Sequence, residues 1–125
     1  MTQDGELAIL HGGDNGELNH HFNLPQVEYI FDKTLDELRQ YDMGEGEKVP
    51  TLLEVINLVN KSLMINIEVK APHDPHIKKH YDYKKAITMV HETIVKSSLE
   101  NHCCVSSFDS DVLEQLDLIN REQRT

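Results

Sequence analysis

The sequence predicts an α/β fold in which helices pack on a parallel β-sheet. Segments with the two-residue alternation of a β-strand are followed along the chain by segments with the apolar spacing of a helix. The connections that contain these helices are long enough to join parallel strands. No internal repeat, linker or low-complexity segment interrupts the pattern. The 125 residues therefore form one small domain or a piece of a larger one.

The chain begins with a short extended run and a loop. Residues 6–11 follow a turn at Asp4–Gly5 and are mostly apolar, which indicates a strand. The next residues, 12–16, combine glycines with an aspartate and an asparagine, so they must form a loop. Residues 17–33 show no regular pattern.

Two threonines mark the starts of predicted helices. Thr34 and Thr51 each precede a glutamate by three residues, which is the spacing of a capping box. The first helix should run for about two turns and end at Tyr41. The second helix carries one apolar stripe, which consists of Leu52, Val55, Ile56 and Val59.

The second half of the chain alternates strands and helices. Leu63–Lys70 alternates strictly between apolar and polar residues and predicts a strand, and Cys103–Ser107 predicts another. Between them Tyr83–Leu99 has helical spacing, and Asp109 or Ser110 should cap a last helix. The side chains expected to face inward from these two helices are Ile87, Val90 and Ile94, then Val112, Leu116 and Ile119.

One face of the strand 63–70 is polar, which is unusual for a strand covered by helices on both sides. This face carries Asn66, Glu68 and Lys70. One explanation is a closed barrel, in which residues near the carboxyl end of a strand line the site. The other is an edge strand with a solvated face, where Glu68 and Lys70 would form a weak exposed ion pair.

His11 stands at the end of the first extended run and is followed at once by Gly12–Gly13. A histidine in this place titrates near neutral pH and can reach a ligand bound over the strand ends. The glycines would allow the backbone to approach that ligand closely. The alternative is a histidine with a purely structural role.

Composition excludes several classes of function. The chain carries a formal net charge of −10 and has no basic stripe, which argues against a nucleic-acid partner and against binding to anionic membranes. No apolar run is long enough for a transmembrane helix, and the first residues lack the pattern of a signal peptide.

The two cysteines, Cys103 and Cys104, are adjacent. Neighbours in a strand point to opposite faces, so these two are poorly placed to form a disulfide with each other. We expect both to be buried structural thiols. The absence of a disulfide framework fits a reducing compartment, and we expect the protein to be cytoplasmic.

The remaining histidines give weaker signals. His73, His76 and His80 have a spacing that occurs in zinc sites, but prolines interrupt the segment and lysines surround it, which favours a solvated surface. We expect surface or packing roles for three other histidines, His20, His21 and His91.

Four strings follow one another along the chain: T-Q-D-G-E-L-A-I-L-H (2–11), T-L-D-E-L (34–38) with V-P-T-L-L-E-V (49–55), N-I-E-V-K (66–70) and V-S-S-F-D (105–109). Each string alone is weak evidence. Together, in this order and at this spacing, they resemble the glycerophosphodiester phosphodiesterase family. The corresponding strings of that family read T-x-D-G-x-x-V-v-x-H-D, t-l-e-E-L with i-P-T-L-e-E-v-L, N-I-E-i-K and v-S-S-F-d.

The resemblance implies a fragment of a (β/α)₈ TIM barrel that hydrolyses glycerophosphodiesters to glycerol 3-phosphate and an alcohol, a reaction of lipid metabolism. It also implies a divalent cation, Mg²⁺ or Ca²⁺. By the matching strings, His11 is a catalytic histidine, Glu68 a metal ligand and Lys70 a substrate-binding lysine. These residue types suit the chemistry: a carboxylate holds a hard cation, an imidazole moves a proton and an ammonium stabilises phosphate charge.

The chain also departs from the family pattern. The resemblance starts after the family's H-R-G and E-x-D strings and stops one helix beyond V-S-S-F-D, so residues 1–125 match a partial domain without the first and last barrel strands. The family's H-D pair is His11–Gly12 here, and the nearest acid is Asp14. We therefore expect the isolated chain to be inactive and to self-associate through open sheet edges. The alternative is a non-catalytic remnant with at most an interaction role.

Overall fold

Two parallel strands form the centre of the computed structural model, which describes the backbone of residues 1–124 and the side chains of residues 1–122. β1 pairs with β2 so that Ile65 lies opposite Cys103 and Glu68 opposite Ser106, which confirms the predicted parallel arrangement. The elements are two turns of 3₁₀ helix (Leu18–His20 and Ile30–Asp32), α1 (Leu35–Leu38), α2 (Leu52–Val59), β1 (Ile65–Glu68), α3 (Pro75–Lys78), α4 (Tyr83–Lys96), β2 (Cys103–Ser106) and α5 (Ser110–Arg124).

The first predicted capping box is present, but α1 is shorter than expected. Thr34 Oγ1 accepts a hydrogen bond from the backbone amide of Glu37 at 3.2 Å, and the Glu37 carboxylate accepts one from the Thr34 amide at 3.3 Å. The amides of Gln40 and Tyr41 then bond to carbonyls three residues back instead of four. The backbone therefore tightens and leaves the helix before Tyr41, where the sequence predicted its end.

The second capping box and the apolar stripe of α2 are confirmed. Thr51 Oγ1 accepts from the backbone amide of Glu54 at 3.2 Å. Leu52 and Ile56 are buried on the inner face of the helix. Asn60 follows the helix in the left-handed conformation with a φ of 45°, which asparagine adopts at helix ends more readily than most residues.

The main apolar core lies between the two strands and the helices α2, α4 and α5. Ile87, Val90 and Ile94 of α4 are buried as predicted, and so is Val112 of α5. The buried residues of this core are Leu52, Ile56, Ile67, Val69, Ala71, Ile87, Val90, Ile94, Leu99 and Val112. A smaller core beside the first 3₁₀ turn consists of Leu18, Leu38 and Val49.

The two longest helices, α4 and α5, pack against each other. Asp109 caps α5, because its Oδ1 accepts from the backbone amide of Val112 at 3.1 Å. This contact confirms one of the two predicted caps. Within the described part of the chain, no helix is both long and apolar enough to cross a membrane.

The extended run 6–11 is not a strand, so that prediction is wrong. Ala8 and Thr51 form an isolated antiparallel bridge, and the amide of Ile9 donates to the carbonyl of Pro50 at 2.8 Å. A strand needs a continuous ladder of such bonds. The partner segment cannot extend the ladder, because its backbone turns into α2 directly after Thr51.

β1 begins later than the sequence predicted. Leu63, which was expected on the buried face, is 64% exposed. Asn60 and Lys61 both have positive φ values, 45° and 65°, so the chain turns sharply before it reaches the sheet. Ile67 and Val69 are buried as expected, which confirms the alternation over the rest of the strand.

The prediction of two buried thiols is wrong for Cys104. Cys103 is partly buried, and this burial raises the pKa of its thiol, whereas Cys104 is exposed. Cys104 pairs with Asn66 across the sheet, and its Sγ lies 3.6 Å from the Asn66 Oδ1. It therefore belongs to the polar face of the sheet, which the apolar core does not cover. Both thiols are free.

Candidate functional site

The carboxyl ends of β1 and β2 lie at the same edge of the sheet, because the strands are parallel. Glu68 is the last residue of β1, Lys70 follows it by two residues, and Ser107 comes directly after β2. In folds built on parallel strands, ligands bind at this edge. The polar side chains that the sequence singled out therefore lie where a site is expected.

His11 reaches the same edge from the extended run 6–11. Its Nε2 lies 3.2 Å from the Nζ of Lys70. A charged lysine offers three donors and no acceptor, so His11 Nε2 accepts in this contact. The structure thus brings together two of the three residues that the sequence proposed for the site.

The polar face of β1 lines a cavity. Asn66, Glu68 and Lys70 are exposed, while Ile67 and Val69 between them are buried. Glu68 and Lys70 line a cavity of about 360 Å³, and both also line an adjoining, more apolar cavity of about 520 Å³. The ion pairs formed by the side chains of residues 1–122 include neither Glu68 nor Lys70. The arrangement favours the site-lining explanation over a simple exposed ion pair.

The loop 12–16 packs closely against other residues of the protein. A Cβ placed on Gly12 would lie 2.9 Å from Cδ1 of Ile30 and 3.3 Å from the backbone of Gly16. The close approach that the sequence predicted for this glycine therefore serves internal packing. Asp14, the nearest acid to His11, lines both cavities from this loop.

Two hydrogen bonds connect the loop 12–16 to the segment that follows Lys70. The carbonyl of Asp14 accepts from the amide of His73 at 3.1 Å. The side-chain oxygen of Asn15 accepts from the amide of Asp74 at 2.7 Å. Sequence patterns gave no signal for this link, because its partners lie 59 residues apart.

The end of β2 is fixed by its own hydrogen bonds. Ser107 Oγ donates to the carbonyl of Val69 at 2.6 Å and accepts from the amide of Asp109 at 3.1 Å. Lys78 Nζ lies 2.7 Å from an Asp109 carboxylate oxygen. Burial raises the pKa of Asp109, but the hydrogen bonds from Lys78 and from the Val112 amide outweigh it, so the net pKa is lowered.

His20, for which we expected a surface or packing role, is exposed and packs on His11. Its ring stacks on the ring of His11, with 4.6 Å between the ring centroids and 28° between the planes. No local sequence pattern predicts this contact, because it depends on how the loop between His11 and His20 folds. His21, its neighbour, instead packs edge-on against Phe22.

Glu68 has the chemistry of a metal ligand but stands without the other ligands that a site requires. A carboxylate oxygen suits a hard divalent cation. Among the side chains of residues 1–122, however, no three of the His, Cys, Asp and Glu type are placed to hold an ion together. The spacing of His76 and His80 gives no shared helical face, because α3 ends at Lys78.

Comparison with known proteins identifies the family. The model of the glycerophosphoryl diester phosphodiesterase family matches residues 1–124. No curated protein matches the chain significantly.

Solved structures support the fold. A candidate glycerophosphodiester phosphodiesterase from Galdieria sulphuraria superposes with a TM-score of 0.77 at 21% identity, covering 95% of this chain and 45% of that one. A candidate glycerophosphoryl diester phosphodiesterase from Silicibacter pomeroyi gives 0.76 at 19% identity, covering 98% of this chain and 50% of that one. The glycerophosphodiester phosphodiesterase from Agrobacterium tumefaciens gives 0.73 at 19% identity, with 97% and 48% covered.

This chain thus spans about half the length of each of these structures. The part of each structure that it covers shares its fold. The chain belongs to the glycerophosphoryl diester phosphodiesterase family and represents a fragment of its (β/α)₈ TIM barrel.

Proposed function

We propose that residues 1–125 are the central part of a phosphodiesterase domain that hydrolyses glycerophosphodiesters to glycerol 3-phosphate and an alcohol in lipid metabolism. The observation that carries the proposal is the contact between His11 and Lys70 beside Glu68, in one cavity at the carboxyl edge of the sheet. In this proposal the first and last strands of the barrel lie outside residues 1–125.

Each of the three side chains has a role that its chemistry supports. Lys70 binds the phosphate of the substrate as a point charge. His11 moves a proton in the reaction: its neutral imidazole can take one from the attacking hydroxyl, and its protonated imidazole can give one to the leaving oxygen. Glu68 would be one carboxylate ligand of a divalent cation, Mg²⁺ or Ca²⁺, although no three such side chains among residues 1–122 are placed to hold an ion together. When bound, the cation would neutralise charge on the phosphoryl oxygens.

The expected partners and location follow from the cavity, the net charge and the cysteines. The cavity of about 360 Å³ has the size of a small-molecule site and combines polar side chains with the exposed ring of Phe108. The net charge of −10 disfavours nucleic acid as a partner. The free thiols fit a reducing compartment such as the cytoplasm.

The test compares the chain alone with a protein in which segments bearing H-R-G and E-x-D and the last strands are added. Glycerol 3-phosphate release from glycerophosphocholine is measured with and without EDTA. We expect release only from the completed protein, and we expect Glu68→Gln to abolish the EDTA-sensitive part, because a neutral amide is a poorer ligand. Glu100→Gln is the control, since Glu100 is exposed and precedes β2 at the opposite edge of the sheet.

Each outcome has a distinct meaning. EDTA-sensitive release by the 125-residue chain alone would contradict the partial-domain proposal. Full activity of the Glu68→Gln variant would contradict the metal-ligand role. A completed protein that folds but releases no glycerol 3-phosphate would favour a non-catalytic remnant of the fold.

A further inference from the structure

The backbone of His20 is held in place by a buried leucine and by side-chain hydrogen bonds of the same turn. It ends the first 3₁₀ turn, in which Leu18 is fully buried. Asn19 fixes the same turn through two side-chain hydrogen bonds of 2.9 Å, donating to the carbonyl of Gln26 and accepting from the amide of Glu28. These contacts hold the backbone of His20 in place, so its ring has a defined position.

His11 needs such a support. It is exposed, and it ends an extended run that no sheet ladder holds. An exposed side chain of this kind populates several rotamers in the free protein. A ligand that requires one of them loses affinity, by about two- to tenfold for each side chain it must immobilise.

We propose that His20 is a positioning residue: by stacking on His11, it holds the His11 imidazole in the one orientation that keeps Nε2 against Lys70. Two contacts then fix the ring, one on its face and one at its edge. Stacking uses the flat face of His20 and none of its nitrogens, so an aromatic ring without nitrogen should do the same work. The consequence for binding rests on the proposed function, whereas the contact itself does not.

His21 provides a matched control within the same turn of chain. It is the next residue, it is also an exposed histidine, and its ring packs edge-on against Phe22 at 4.7 Å between centroids. Removal of its ring changes the local charge and composition as removal of the His20 ring does. It leaves the stack on His11 intact.

The experiment uses NMR spectroscopy on the full chain, with the ring and side-chain resonances of the histidines assigned. The variants are His20→Ala, His20→Phe and His21→Ala. The first readout is the rotamer distribution of His11 from its three-bond couplings. The second is the dissociation constant for glycerol 3-phosphate, taken from a chemical-shift titration. Amide spectra establish that each variant keeps the fold.

We expect His20→Ala to spread His11 over several rotamers and to weaken glycerol 3-phosphate binding by about two- to tenfold. His20→Phe should restore both quantities, and His21→Ala should leave both unchanged. Rescue by phenylalanine distinguishes positioning from a direct contact with the ligand, which a phenyl ring would not restore.

Unchanged His11 couplings in His20→Ala would overturn the inference, and so would a folded His20→Phe variant that fails to restore them. If His20→Ala does not fold, His20→Phe is compared with the unaltered chain instead. A different rotamer distribution of His11 in His20→Phe would then overturn the inference. If the unaltered chain does not bind glycerol 3-phosphate, the expected effect of His20 on binding is wrong, while the couplings still decide whether His20 orients His11. The proposed function is tested separately, by the release of glycerol 3-phosphate from the completed protein.

Discussion

The Nζ of Lys70 lies 3.2 Å from the Nε2 of His11, although 59 residues separate them in the chain. Lys70 reaches this point from the end of β1, and His11 from an extended run that pairs with neither β1 nor β2 within residues 1–124. The contact is therefore a product of tertiary structure. It places the amino group of Lys70 against the Nε2 edge of the His11 imidazole.

The first prediction concerns the charge of Lys70. Lys70→Met should weaken the binding of glycerol 3-phosphate by about fivefold, or ~1 kcal/mol, the upper range for an exposed charge pair. The measurement is an NMR titration, and the ring signals of His11 should shift in the free variant. Lys96→Met is the control, because Lys96 is exposed at the far end of α4. Equal affinity of the two variants would remove Lys70 from the site.

The second prediction concerns the tight loop after His11. Gly12→Ala should lower the free energy of unfolding by about 1–3 kcal/mol, because the new Cβ meets Cδ1 of Ile30 at 2.9 Å. Adding Ile30→Val removes that methyl group and should recover part of the loss. The backbone of Gly16, at 3.3 Å, keeps the recovery incomplete. Urea unfolding measures both, and strictly additive losses would argue against the steric explanation.

The third prediction concerns pH. The pKa of Asp109 is lower in the folded chain than in the unfolded one, so the folded state binds fewer protons near that pKa. The stability that Asp109 contributes should be fully present above its unfolded pKa, about 3.9, and should disappear as pH falls below that value. Asp109→Asn should therefore be less stable than the unaltered chain at pH 7, with the difference shrinking toward pH 3.

Lys78→Met provides an independent check of this effect. Lys78 donates to Asp109 at 2.7 Å, so its removal should raise the pKa of Asp109 in the folded chain toward the unfolded value and reduce the stability that is lost as pH falls. Thermal unfolding from pH 3 to pH 7 gives the profile for each variant. Glu100→Gln, at an exposed position, should not change its shape. An unchanged profile in Lys78→Met would contradict the assignment.

The fourth prediction concerns the open sheet. Within residues 1–124, β1 and β2 pair only with each other, so each has an unpaired edge. Several large apolar side chains near the sheet are also exposed: Leu58 by 86%, Met64 by 70% and Phe108 by 93%. We expect the isolated chain to self-associate through these edges as its concentration is raised. A monomer by light scattering at every concentration would contradict this prediction.

Local signals predicted the local structure well. The capping boxes at Thr34 and Thr51 need only residues within one turn, and both are present. The alternation around Ile67 describes a face that the core covers. Such features depend on neighbours in sequence, so the sequence contains what is needed to predict them.

Contacts between distant segments were harder to predict. The run 6–11 has the composition of a strand, but strand formation depends on a partner, and its partner turns into α2. The resemblance pointed to His11 and Lys70, and the structure places the two in contact, while the roles that the resemblance implies stay predictions. The sequence did not predict the contact between His20 and His11, because this contact depends on the course of the intervening loop, which no periodicity encodes.

The amides of His73 and Asp74 donate to the Asp14 carbonyl and to the Asn15 side chain, so the loop after His11 and the segment after Lys70 are joined at two points. A displacement of one segment alone would stretch or break these hydrogen bonds, so the bonds resist a change in the distance between His11 and Lys70. A change in the length of one loop would therefore have to be compensated in the other for the site to keep its geometry.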